Sequence, residues 1–341
     1  MQKLCCLMVV ALAVTSCKPS SSATSPTSGS PTTTGGSLSL QVNDALSSSG
    51  IGGATVSGTS VPSVTTDGAG KVVATTQSGA GSFSLTVSGA SIVTRQFTAK
   101  IPGGAVTLSV IPASFDLMSF NQMFRLGNNG LGLARWTAAL ALHIVSRALQ
   151  ARPSVAVASY LVLDEQISGE EIQAIGDDLK TALPLLTDGA FKSFSGVQVD
   201  QLPAGSPVPS TAGVIYVARC NGLAASQGGA AGVTTWSLSN FAVFGGLICY
   251  DDAFEAATTE HYFLRAHELG HALGYRHVTT GQTSLMNPTP TVLSDWDRQA
   301  VHIGFSRAPG SVSPDVDPQG SSQNSLAAEV YESGACTAPR K

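Results

Sequence analysis

The chain has 341 residues, 43% of them apolar and only 12% charged, with a formal net charge of −4. That length suits about two domains with real cores, while the acidic balance argues against a general nucleic-acid binder, which needs a basic footprint. The 36 glycines and abundant Ser and Thr suit an exported, β-rich protein, and after the first sixteen residues no apolar run reaches the ~20 needed to span a bilayer.

The N-terminus carries one positive charge, Lys3, and then an apolar stretch from Leu4 to Val14. It is too short to cross a membrane and fits the apolar region of a secretory signal. It ends in Val14-Thr15-Ser16-Cys17, which resembles the bacterial lipobox. The resemblance implies cleavage after residue 16 and a lipid on Cys17. Lys18 rather than Asp follows, which by analogy with Gram-negative sorting implies a lipid-anchored protein of the outer membrane. Of the twenty residues 18–37, eighteen are Ser, Thr, Pro or Gly. Such a segment cannot bury apolar area and reads as a disordered tether over 17–37.

From 38 to 112 apolar residues alternate with a period of two: Leu38, Leu40 and Val42; Phe83, Leu85 and Val87; Val106, Leu108 and Val110. Glycine-rich breaks separate these sets, which predicts a small all-β sandwich. Gly53-Ala-Thr-Val56 and Thr66-Asp-Gly-Ala-Gly70 resemble carboxypeptidase-regulatory-like and bacterial Ig-like modules. That likeness implies a spacer or adhesion module without chemistry. Residues 113–134 read as a connector anchored by Phe115, Leu117, Phe120 and Phe124.

A second body is expected over 135–310, an α+β domain with a mixed twisted sheet. Strands are predicted at 139–145, 197–201, 213–218, 233–238 and 243–250. A helix is predicted over 169–186, with Ser168 as N-cap and Glu170 and Glu171 in its first turn. Further helices are predicted over 259–273 and 295–305, and residues 311–341 read as a polar tail.

The informative stretch is His267-Glu268-Leu-Gly-His271-Ala-Leu-Gly274-Tyr-Arg-His277. Histidines four apart on a helix share one face and can offer imidazoles to one ion, with Glu268 beside them. On a straight helix His277 would lie about 15 Å beyond His267 along the axis. The chain must therefore turn back, and Gly274 stands where a helix end needs a residue free of a Cβ. Three imidazoles leave one position on a tetrahedral zinc open, which marks a catalytic site rather than a structural one. Of the other histidines, His261 lies off the metal face and reads as a helix-surface residue, and His143 and His302 read as packing or solvated residues.

This stretch resembles the signature of the metzincin zinc peptidases. Ser284-Leu-Met286-Asn-Pro288 is similar to the Met-turn of that clan, and the Met with its following Pro looks most like matrixins. The resemblance covers about residues 135–306. It implies an active-site helix, an apolar floor made by Met286 beneath the metal, and a C-terminal helix over Ser294–Arg307. It further implies a zinc endopeptidase of protein or peptide substrates with Glu268 as general base. Substrate would lie extended along an edge strand, for which Gly232–Ser237 is the candidate. The chain departs from the clan in two ways: no Tyr follows directly on the Met-turn, and no Cys lies between 18 and 219 to serve a cysteine-switch propeptide. A non-catalytic binding or adhesion lipoprotein with a degenerate domain stays open as the alternative.

An exported chain is oxidised, and Cys220 and Cys249 sit at predicted strand ends, so they are expected to pair. With Cys17 lipidated, Cys336 is left as the odd thiol. Asp251-Asp252 and Asp315-Val-Asp317 are short of the oxygens that Ca²⁺ wants and read as solvated loops. A monomer is expected.

Overall fold

The computed structural model describes residues 35–126, 132–151, 160–226, 230–257, 261–290, 292–318 and 327–332. The signal segment, Cys17 and Cys336 lie outside the described residues. No helix among the described residues is long and apolar enough to cross a membrane. The chain is a mixed α/β protein built on several sheets.

The first body is a sandwich of two sheets. Strands β1 (Gly36–Asp44), β4 (Lys71–Thr76) and β7 (Val106–Val110) form one, in the order β4-β1-β7. Strands β2 (Thr55–Gly58), β3 (Val61–Thr65), β5 (Gly81–Ser88) and β6 (Arg95–Ile101) form the other, in the order β3-β2-β5-β6. The period-two pattern is the cause: Leu38, Leu40 and Val42 of β1 face Leu85 and Val87 of β5 in one buried cluster with Leu108 and Val110. Strands β2, β3, β4 and β6 are additional to the three sets of the sequence reading. β1 and β7, far apart in the chain, pair in parallel.

The expected connector is a helix, α1 (Leu117–Phe124), whose N-cap Asp116 accepts from the Ser119 amide at 3.0 Å. Phe115, Phe120 and Phe124 join the core of the second body, Phe124 packing on Tyr275 with ring centres 4.7 Å apart.

The second body has a nine-stranded sheet. β9 (Ala141–Val145) and β10 (Arg147–Gln150) follow one another along one edge of β13 (Val214–Asn221), both parallel to it. β12 (Val197–Asp200) pairs in parallel with β9, and β11 (Leu161–Gln166) antiparallel with β10. On the other side of β13 lies β15 (Ala242–Asp251), parallel to it and flanked at its start by the short β8 (Arg135–Trp136). β14 (Gly232–Ser239) runs antiparallel to β15. β13 is apolar on both faces, because Ile215 and Val217 face a helical layer while Val214, Tyr216 and Ala218 face a second cluster.

The helical layer holds α2 (Gly169–Leu185), α5 (Tyr262–Ala272) and α6 (Asp295–Phe305), with the short α3 (Leu223–Ser226) and α4 (Asp252–Ala257) at strand ends. Ser168 caps α2, accepting from the Glu171 amide at 3.1 Å, as expected from the sequence. α5 begins at Tyr262 rather than 259, and His261 occupies its N-cap position.

The predicted polar tail does two other things. Residues 311–318 lie back across the sandwich, where the Gln96 amide donates to the Asp315 carbonyl at 3.0 Å. Residues 327–332 form β16 (Ala327–Glu332), antiparallel to β14. From Thr234 onward the candidate edge Gly232–Ser237 is therefore not free: β15 holds one side of the strand and β16 lies along the other, while Gly232 and Val233 lie beyond the register of β16.

Candidate metal centre

The site is carried by α5 and the turn after it. His267 and His271 stand one helical turn apart, and both are buried. The helix then ends in a Schellman arrangement: the Gly274 amide donates to the His271 carbonyl at 2.8 Å and the Tyr275 amide to the Gly270 carbonyl at 2.9 Å. Gly274 has φ 103°, a conformation that a side chain would strain. The Trp136 indole N–H donates at 2.7 Å to the Ala272 carbonyl, satisfying one of the carbonyls a helix end leaves bare. The chain doubles back and returns His277 to the other two.

The result is a convergence of three Nε2 atoms. Those of His271 and His267 are 2.9 Å apart, and that of His277 is 3.2 Å from each. Ligand nitrogens about 2.0–2.1 Å from a tetrahedral zinc would be about 3.3 Å apart, so the set fits such an ion with little movement. Among the described residues it is the one group of three or more metal-ligating side chains whose ligand atoms lie within 4.8 Å of one another. These residues could hold a metal ion.

The other ring nitrogens fix the orientation. His267 Nδ1 lies 2.7 Å from the Leu285 carbonyl and His271 Nδ1 2.8 Å from the Tyr275 carbonyl. Donation from Nδ1 leaves the Nε2 lone pair for a metal. Burial pushes His267 down to about 3, helped by the neighbouring His277, and it holds His271 well below its ordinary value. Burial and the charge of Arg276 lower His277 to about 4. All three are thus neutral near pH 7, the form that binds metals.

Glu268 is buried against β14. The Thr234 hydroxyl lies 2.6 Å from Glu268 Oε2 and donates to it. A Cβ at Gly232 would sit 2.4 Å from Glu268 Oε1, so the glycine is what lets the carboxylate lie against the strand. Neither Gly232 nor Thr234 was read as a contact of Glu268 in the sequence. Their 36 and 34 residues of separation from it leave no local signal.

Met286 is fully buried beneath α5, and a Cβ at Gly270 would come within 2.6 Å of its Sδ. Its turn is tied down by Asn287, whose Nδ2 donates to the Val278 and Gln282 carbonyls at 2.8 and 3.0 Å. Pro288, which follows, is half-buried. A residue that sequence reasoning missed is Asp297, buried in the first turn of α6. It accepts from the Ser284 hydroxyl and from the Leu285 amide at 2.9 Å, and Leu285 in turn receives His267. The capping box with Ser294 was its one local sign.

Cys220 of β13 and Cys249 of β15 are disulfide-bonded across adjacent strands, with Cα atoms 5.4 Å apart. His143 lies 2.9 Å from Asp200, and the exposed His302 2.8 Å from Asp188. His261 packs edge-on against Phe254 rather than standing on the helix surface. The acidic pairs are neither solvated loops nor cation cages. Asp251 accepts from the Ala224 and Ala253 amides and Asp252 from the Gly222 amide. Asp315 is bound by Arg307, and Asp317 by Arg95.

No protein-family model matches the chain, and no curated protein matches it in sequence.

Proposed function

We propose that the chain is a zinc-dependent endopeptidase of metzincin type, most like the bacterial matrixin-like proteases, exported and lipid-anchored through Cys17 on the cell envelope. One observation carries the reading: three imidazoles from a helix and its reversed continuation converge on a single point, with the Glu268 carboxylate one residue from the first of them. His267, His271 and His277 would hold zinc through Nε2. Zinc in such a site supplies a Lewis acid for the scissile carbonyl and brings the pKa of a water toward neutrality. Glu268 takes the proton of the attacking water and hands it to the departing amine. The Thr234 hydroxyl holds Oε2 of that carboxylate and Gly232 leaves it room. Asp297 and the Leu285 carbonyl keep the His267 ring turned to the metal.

The test compares two variants with casein or a peptide library as substrate, with and without chelator. Glu268→Ala should keep about one zinc per chain and lose at least the ~10²–10⁴-fold that proton transfer contributes. His271→Ala should lose the metal itself. Chelator-insensitive cleavage, or a Glu268→Ala variant as fast as the parent, refutes the reading. A zinc-bound protein that stays inert even when β16 is released from β14 would favour the non-catalytic binding lipoprotein.

A further inference from the structure

β14 is the strand nearest the candidate centre: Gly232 and Thr234, at its start, both touch Glu268. One of its edges is committed to β15. The other would present a row of backbone N–H and C=O groups, which any extended peptide can pair with whatever its side chains. That edge carries β16. The register sets Thr234 opposite Glu332, Trp236 opposite Val330 and Ser239 opposite Ala327. β16 therefore runs from the far end of β14 toward Glu268.

We propose that the outer edge of β14 is a peptide-binding edge whose resident is the chain's own C-terminal strand, Ala327–Glu332, held there in cis and displaced by an incoming peptide. Three features support this. The pairing is antiparallel and continuous over the six residues of β16, the arrangement in which a bound peptide becomes an added strand. β16 has β14 as its one strand partner among the described residues. A single short strand at a sheet margin opens at small cost. The occupant is also tethered, so it competes at an effective concentration of about millimolar. A free peptide must exceed that before it gains the edge. As a consequence for the endopeptidase reading, on which this part rests, the chain restrains itself without a cysteine-switch propeptide.

The probe is a labelled peptide of sequence Ala-Ala-Glu-Val-Tyr-Glu, used with chelator present so that binding does not depend on metal. In the full chain, Val330→Pro with Tyr331→Pro removes a ladder donor whichever of two consecutive amides faces β14. The variant should bind the peptide about ten-fold more tightly than the parent, or better. When loaded with zinc it should also cleave casein faster. Equal affinity in variant and parent, or no binding to either, overturns the proposal. Binding gained without cleavage by either protein supports the resident strand and refutes the endopeptidase reading instead.

A second variant needs no weakened strand. Ser237 and Glu329 are register partners, so Ser237→Cys with Glu329→Cys can lock β16 in place on oxidation. The locked form should lose the residual peptide binding of the parent. Unchanged binding in the locked form overturns the proposal equally.

Discussion

His267, His271 and His277 are folded as neutral rings, and this has a consequence at low pH. An unfolded chain protonates them near 6.5, whereas in the folded chain burial keeps His267 at about 3 and His277 at about 4. Between these values the unfolded state binds more protons, so stability rises with pH. The contribution is fully present above about 6.5 and is lost as pH falls toward 4, at about 1.4 kcal/mol per pH unit for each proton taken up. Urea midpoints of the chelator-treated protein should therefore drop steadily from pH 7 to pH 5, above the range where carboxylates titrate. A flat profile over that range contradicts neutral, buried imidazoles. The motif itself was legible in the sequence because its parts are local: i and i+4 on one helix, then a glycine at the turn. The contacts of Glu268 were not legible, since Thr234 and Gly232 arrive from another strand.

At the scale of elements, α5 is held by a buried ion cluster two residues before the first histidine. Arg265 reaches Glu255 of α4 at 2.6 Å and Asp178 of α2 at 2.9 Å, and its side chain is 2% exposed. Removing one partner of such a cluster strands a buried charge, which costs about 3–5 kcal/mol. Arg265→Leu should lower the unfolding free energy by about that much in urea titrations, with Glu255 left in place. A loss under ~1 kcal/mol would mean that the cluster is as weak as a surface pair. Helix α2 was readable from Ser168 because an N-cap is a local signal, whereas α6 was expected over 295–305 and its cap, Ser294, is shown by the structure. α1 carried a signal too, in Asp116 followed by Leu117, Phe120 and Phe124 at helical spacing, but its aromatic residues read equally as anchors of a connector.

At the scale of the whole molecule, the sandwich and the second body are joined through arginines. Arg307, after α6, binds Asp315 through Nε and Nη2 at 2.7 and 2.8 Å, with both side chains fully buried. Its Nη1 donates to the hydroxyl of Ser109 in β7 at 2.9 Å. Arg95 of β6 donates to the Ser109 carbonyl at 2.6 Å and pairs with Asp317 at 3.0 Å. Asp315→Ala would leave Arg307 buried without its carboxylate, again a cost of about 3–5 kcal/mol, and should lower Tm by roughly 10 °C in calorimetry. Added Ca²⁺ should leave the Tm of the parent unchanged, because arginines already occupy these oxygens. A calcium-dependent rise contradicts that assignment.

What the sequence determined by itself was set by short-range periodicity: strands β1, β5 and β7 of the sandwich, helix α2 with its cap, helix α6, and the reversal at Gly274 that returns His277 to the other two. What only the tertiary structure decided was partnership across long separations. Asp315 and Asp317 meet arginines instead of solvent, Asp297 braces the turn of Met286, and a strand from the expected tail lies along β14. An acidic side chain or a six-residue apolar and polar mix is compatible with many partners. The choice falls to whichever group the packed core carries within hydrogen-bond reach.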